Sequence, residues 1–307
     1  MRRRHLLRLA AAGSAALLSA GTLTACGADD PAAQGKFSVV AAFYPLQFIS
    51  ERLGGDFVSV TNLTAPGAEP HDLELKPQQV AQIAEAKVVI YLKGLQPEVD
   101  KAVKEQAKGI VIDVLSLVPT LNATAEEAAE APDLQGRDPH VWLDPTRLST
   151  IATTVAATFG EADPAHKTDF TDRAAKLAAD LAELDMEFAT GLKTCQRQEI
   201  FTSHAAFGYL AQRYHLTQVA LSGLSPEQEP TPQDLATVAA EAKKFGATTI
   251  FYETLVSPKI SETIAKEIGA KTAVLDPIEG LEPGSTGDYF SVMREDLKAL
   301  QTALGCS

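Results

Sequence analysis

The stretch that most constrains this chain is Ala165 to Lys193, about 29 residues that read as one amphipathic helix. Leu177, Leu181, Leu184 and Phe188 recur every three or four positions, the period of a helix burying one stripe. Asp163-Pro164 supplies a start signal. At ~1.5 Å per residue the helix spans roughly 43 Å, too long to cross over a small sheet. It either lies along a single domain or joins two bodies of fold.

The same grammar runs on both sides of it. Before it, strand-like runs (Phe37–Phe43, Phe57–Leu63, Val88–Leu92, Ile110–Val114) alternate with helical ones (Leu46–Leu53, Pro77–Ala86, Pro97–Lys108, Pro145–Phe159). After it, strands at Glu199–Thr202, Thr217–Leu221, Thr248–Tyr252 and Thr272–Leu275 alternate with helices at Phe207–Tyr214, Pro232–Phe245 and Pro258–Ile268, and Tyr289–Leu304 closes the chain. Such alternation implies βαβ units and largely parallel sheets, so the expected class is α/β. Asn122 to Gln135, rich in Ala and Glu and without an aromatic residue, reads as a mobile, solvated loop.

Near the middle stands Asp138-Pro139-His140-Val141-Trp142-Leu143-Asp144-Pro145, which holds the only tryptophan. Its two prolines exclude a helix interior, and each biases the preceding aspartate towards extended or turn geometry. A histidine held so rigidly suits a metal ligand, but taken alone the stretch reads as an ordinary hydrogen-bonded loop. Three further stretches change the weighing: Pro70-His71-Asp72-Leu73-Glu74, Phe201-Thr202-Ser203-His204-Ala205-Ala206-Phe207 and Val274-Leu275-Asp276-Pro277. Together, in this order and spacing, the four resemble the metal-ligand segments of the metal-specific solute-binding proteins of bacterial ABC transporters (cluster A-I, or cluster 9). The resemblance runs from about Phe37 to the C-terminus.

That resemblance implies two (βα)-type lobes with parallel sheets, joined by one long linking helix. The boundaries expected are 37–162 for the N-terminal lobe, 163–194 for the helix and 195–307 for the C-terminal lobe. It also implies one metal site between the lobes, with His71 and His140 from the first and His204 and Asp276 from the second. Three imidazoles and one carboxylate suit Zn²⁺, whereas Mn²⁺ prefers more oxygen. Manganese-binding relatives carry glutamate where this chain has His204, so the resemblance favours the zinc-binding branch, with a manganese-specific protein or adhesin as the alternative. Asp72, Asp138, Asp144 and Glu253 are read as supporting or capping residues. Glu229 falls in a segment, Ser225 to Pro230, that matches a cleft-lining family motif. Zinc-binding relatives often have a long histidine-rich loop where Asn122–Gln135 lies; here it is short, acidic and free of histidine. His166 and His215 fall outside the motifs and read as surface residues.

The N-terminus reads as an export signal: Arg2, Arg3, Arg4 and Arg8 around an apolar, small-residue run to Thr24. Leu23-Thr24-Ala25-Cys26 looks like a lipobox, so residues 1–25 are expected to be a signal peptide, Cys26 a lipidated N-terminus and 26–36 a tether. Arg3-Arg4 leaves Sec and twin-arginine export both open. Removing residues 1–25 takes away four arginines and no acid, moving the net charge from −13 to −17. So acidic a body excludes nucleic acid as a partner. The expected protein is an extracytoplasmic monomer anchored to the cell membrane by lipid and partnered by an ABC permease. With Cys26 acylated, Cys195 and Cys306 remain of the three cysteines, and outside the cytoplasm two thiols usually pair. The chain has no G-x-x-x-x-G-K, G-x-G-x-x-G or G-x-S-x-G motif. The enzyme reading left is a zinc hydrolase, and four protein ligands would close the site against the water that catalysis needs.

Overall fold

The computed structural model describes residues 35–226 and 230–307. Residues 1–34, with the expected signal and Cys26, and residues 227–229, with Glu229, lie outside them. β1 (Phe37–Ala41), β2 (Val58–Asn62), β3 (Val88–Tyr91) and β4 (Ile110–Asp113) form a parallel sheet in the order β2-β1-β3-β4. The central strand β3 and the Val39–Ala41 end of β1 are continuous apolar runs because helices cover both faces of a parallel sheet. Around them lie α1 (Tyr44–Gly54), α2 (Pro77–Glu85) and α3 (Pro97–Gln106), each with proline in its first turn, where the missing N–H costs nothing. Val39, Val88, Val89 and Ile90 have no solvent exposure.

Asn122–Gln135 departs from the mobile loop expected of it. It folds into α4 (Ala125–Glu130) and a 3₁₀ turn at Pro132–Leu134, and Asn122 bridges Arg137. A capping box explains the helix: Thr124 Oγ1 accepts from Glu127 N–H, and a Glu127 carboxylate oxygen accepts from Thr124 N–H. Buried Leu134 fastens the far end.

The long stretch is α5 (Pro145–Ala162), a 3₁₀ turn at Pro164–His166, and α6 (Lys167–Gly191). α6 is 25 residues, shorter at both ends than the sequence implied. Asp163 stops it early, accepting from Ala165 N–H and pairing with the His166 ring. Phe170, Ala174, Leu177, Leu181, Leu184 and Phe188 form its buried stripe, which packs along α5 and also meets α1. His166 is half-buried against Phe57, and His215 is exposed.

The second half contains β5 (Glu199–Thr202), α7 (Gly208–Tyr214), β6 (Thr217–Ala220), α8 (Pro232–Lys244), β7 (Thr249–Tyr252), α9 (Lys259–Ile268), β8 (Lys271–Val274) and α10 (Tyr289–Leu304). β5 pairs in parallel with β6 and β7 with β8, and β7 lies beside β5. Arginines clasp the exposed flank of α6 from both halves. Arg52 of α1 holds Asp180 at 3.0 Å, Arg213 of α7 holds Asp185 at 2.5 and 2.6 Å, and Arg294 of α10 holds Glu187 at 2.8 and 3.0 Å.

One large buried cluster continues from the first sheet through Trp142, Phe207, Tyr209, Leu275 and Tyr289 into the second half, and a small one around Phe201 and Ile250 serves α8 and α9. Accordingly Gly35–Ser307 is one compact unit. The structure pairs Cys195 with Cys306 across a separation of 111 residues, tying the end of α10 to the start of β5. Replacing both by alanine is expected to lower stability by roughly 2–5 kcal/mol. Denaturant unfolding of oxidised wild type against the variant reads this directly; coincident midpoints would mean that the pairing contributes nothing.

Candidate metal centre

Three histidines and one glutamate meet between the two halves. His71 sits in the irregular segment after β2, with its backbone N–H donating to Glu69 Oε1 at 3.1 Å. His140 follows Pro139 and starts the 3₁₀ turn Val141–Leu143 ahead of α5. His204 stands just past the carboxyl end of β5, its carbonyl accepting from Thr202 Oγ1 and Gln218 Nε2. Glu279 lies past the carboxyl end of β8. Strand ends are where open α/β sheets place ligands.

The imidazole Nε2 atoms of His71, His140 and His204 lie 3.4, 3.3 and 3.4 Å from Glu279 Oε1. All four donor atoms fall within 4.8 Å of one another. His140, His204 and Glu279 are buried, and the His71 side chain is 7% exposed. The Nε2 atoms of His140 and His204 and Glu279 Oε2 have no hydrogen-bond partner among the described residues. Buried polar atoms are rarely left so, and convergent ones call for a ligand.

The opposite ring nitrogens are fixed. His140 Nδ1 lies 2.8 Å from Asp138 Oδ1, and His204 Nδ1 lies 2.8 Å from Glu253 Oε1. Carboxylates behind the imidazoles select the tautomer that turns Nε2 inward. Tyr209 Oη donates to the Asp138 carbonyl at 2.7 Å, and a Cβ on Gly208 would come within 2.6 Å of Asp138 Oδ2, so α7 can approach this loop only with glycine there. Burial alone would push both histidines down in pKa, but the carboxylates outweigh it and raise them: Asp138 and then Glu279 for His140, Glu253 and then Glu279 for His204. Glu279 behaves oppositely: burial would raise it, yet the surrounding imidazoles hold it well below the usual carboxylate range. Burial, then the Glu279 charge, push the neighbouring Glu69 carboxyl up to about 9.

The structure thus groups His71, His140 and His204 with Glu279, whereas the sequence reading set Asp276 beside them. Asp276 is buried, but its carboxylate is engaged elsewhere: Oδ1 accepts from Ile278 N–H at 2.7 Å and Oδ2 from Thr254 Oγ1 at 2.6 Å. With one oxygen closing its own turn and the other held by Thr254, Asp276 does not join the cluster of donors among the described residues. Of the supporting residues, Asp138 and Glu253 back the imidazoles. Asp144 caps α5 and pairs with Arg147, and Asp72 is exposed. Sequence reasoning missed Glu279. Its signal was faint: one acid in Pro277-Ile278-Glu279-Gly280, three residues past Asp276 of the more conspicuous Asp-Pro pair.

A profile of the family described as zinc-uptake complex component A, periplasmic (ZnuA), matches residues 39–303. The high-affinity zinc uptake system protein ZnuA of Bacillus subtilis (strain 168) is 32% identical over 280 residues, 88% of each chain. The zinc-binding protein AdcA of Streptococcus pyogenes serotype M3 is 32% identical over 289 residues, 88% of this chain and 56% of its own, so this chain spans about half the length of that relative. Among solved structures, the Zn(II)-bound ZnuA-like domain of Streptococcus pneumoniae AdcA has a TM-score of 0.75 at 33% identity, covering 88% of this chain and 99% of that one. The laminin-binding protein of Streptococcus agalactiae, described as having adhesin and metal-transporting activity, has a TM-score of 0.78 at 30% identity, covering 87% and 99%.

Proposed function

We propose that this chain, which belongs to the ZnuA family of periplasmic zinc-uptake components, captures Zn²⁺ outside the cytoplasm and delivers it to an ABC permease. His71, His140, His204 and Glu279 are the proposed ligands, and the lobes facing each other across them span 37–162 and 195–307, linked by 163–194. The observation that carries this reading is a set of lengths. Zn²⁺ bound tetrahedrally at about 2.0–2.1 Å has ligand-to-ligand edges of about 3.3–3.4 Å. The three Nε2-to-Oε1 separations, half of the six edges, are 3.4, 3.3 and 3.4 Å, and all four donor atoms lie within 4.8 Å of one another. Four protein donors close the coordination sphere, which suits carriage rather than hydrolysis. Elemental analysis of protein purified without added metal, with competitive titration of Zn²⁺ and Mn²⁺, tests the reading. Recovery without zinc and a preference for manganese would overturn it.

His204→Glu is expected to move the zinc-to-manganese affinity ratio towards manganese, since a second carboxylate favours hard cations and a lost imidazole weakens zinc. Zinc should still bind the more tightly, because the intrinsic metal order opposes manganese. An unchanged ratio would remove His204 from the site. The lipobox supports Cys26 as an acylated anchor holding the body by the tether 26–36. Cys26→Ala should shift the protein from the membrane fraction to the soluble one, and a variant that stays with the membrane would rule out the anchor.

A further inference from the structure

We propose that Asp276 is a positioning residue, whose carboxylate clamps the turn that aims Glu279 at the three histidines. This rests on the reading of Glu279 as a zinc ligand. The turn is costly. Ile278 has φ 57°, the left-handed region that a β-branched side chain strongly disfavours. Only two other described non-glycine residues share that sign, Gln135 and His215, and both sit just past helical turns, where such a conformation is ordinary. Ile278 caps no helix and is fully buried.

Such a conformation persists when its surroundings over-determine it. Here four contacts do so. Ile278 N–H donates to Asp276 Oδ1 at 2.7 Å, and Thr254 Oγ1 holds the other Asp276 oxygen at 2.6 Å. Asp276 N–H donates to Asp296 Oδ1 of α10 at 2.8 Å. Trp142 Nε1 donates to the Pro277 carbonyl at 2.6 Å. Glu279, by contrast, has one unpartnered carboxylate oxygen, and its other oxygen faces only imidazoles. Nothing but the turn sets where its side chain begins. Asp276 therefore acts on the metal through backbone geometry, and its charge is incidental.

Geometry and charge separate cleanly by substitution. Asp276→Asn keeps an oxygen at the right reach to accept from Ile278 N–H and removes the charge. Asp276→Glu keeps the charge and is too long to close the two-residue turn. In competitive Zn²⁺ titrations of the disulfide-intact protein, Asp276→Asn is expected to stay within about threefold of wild type. Asp276→Glu and Asp276→Ala should lose about 10–100-fold, the usual cost of removing an outer support. The visible spectrum of the Co²⁺ form, which reads the donor set, should be wild-type in the asparagine variant and altered in the glutamate one. Adding Asp276→Ala to Glu279→Ala should cost little further, because the two act through one contact. Asparagine losing as much as alanine, or glutamate binding like wild type, would overturn the proposal and make Asp276 a charged donor. Independent, multiplying losses would overturn it too. Glu279→Ala binding zinc like wild type would instead remove the underlying ligand assignment, whatever the Asp276 variants do.

Discussion

His140→Ala is expected to weaken Zn²⁺ binding by more than the ~10–100-fold that outer supports are worth, because it removes a donor outright. His140 has no solvent exposure, and without its ring Asp138 Oδ1 keeps only the backbone N–H of residue 140 as a donor. His204→Ala should behave alike, leaving Glu253 Oε1 with only the Ser203 hydroxyl as donor. The same donors give the pH dependence a direction. At the proposed site protons would compete with zinc for one lone pair on each Nε2. Because the carboxylates raise the pKa of His140 and His204, protonation competes at higher pH than an ordinary imidazole near ~6.5 would allow. Apparent zinc affinity should therefore begin to fall above that value as pH is lowered. For the metal-free fold the sign is opposite: raised histidines contribute stability that is full below the unfolded pKa and lost as pH rises through the folded one. Titrations at a series of pH values check both. Zinc affinity flat from pH 8 to pH 5 would exclude imidazole ligation.

Trp142→Ala should destabilise the protein by about 3–5 kcal/mol, the range for removing a buried aromatic ring. Trp142 is 1% exposed and meets the Phe43 ring edge-on at 4.9 Å. Its indole N–H reaches the Pro277 carbonyl at 2.6 Å, and its own carbonyl accepts from Tyr289 Oη at 2.7 Å. One side chain thus fills core in the first half and satisfies backbone in the second. Trp142→Phe keeps most of the volume and should lose far less, chiefly the hydrogen bond. Urea unfolding followed by circular dichroism, since the only tryptophan is gone, gives both values. A loss below about 1 kcal/mol for alanine would mean that the halves do not depend on this contact.

Most of the architecture was legible in the chain. Apolar runs such as Val88–Tyr91 and proline-led helices such as Pro77–Glu85 announce themselves by local physics, and so does the stripe of α6. Three of the four clustered donors were legible because the stretches that carry the histidines, taken together and in order, resemble the ligand segments of a known family. Glu279 was not, because what sends it inward is a turn at Ile278 held by Thr254, Asp296 and Trp142, all distant in sequence. The same turn explains why Asp276 looked like a donor: a buried aspartate before proline resembles one until its partners are known. Asn122–Gln135 was misjudged because composition hid a four-residue capping box and the burial of one leucine. The continuity of the core across both halves could not be read from sequence at all, since it rests on contacts between segments more than a hundred residues apart.

The three arginine clasps on α6 bear on how fast the proposed cargo would come and go. These exposed ion pairs are each worth ~1 kcal/mol or less, but with the one core that runs through both halves they leave the halves less freedom to swing apart as rigid bodies. Exchange is then left to smaller pieces of chain, and the donors are unequal in this respect. His140, His204 and Glu279 are sealed, while His71 keeps some contact with solvent and rides on an irregular segment. Exchange is expected to begin at that segment, and residence time should follow its mobility. Stiffening it would slow arrival and departure together and leave equilibrium affinity nearly where it was.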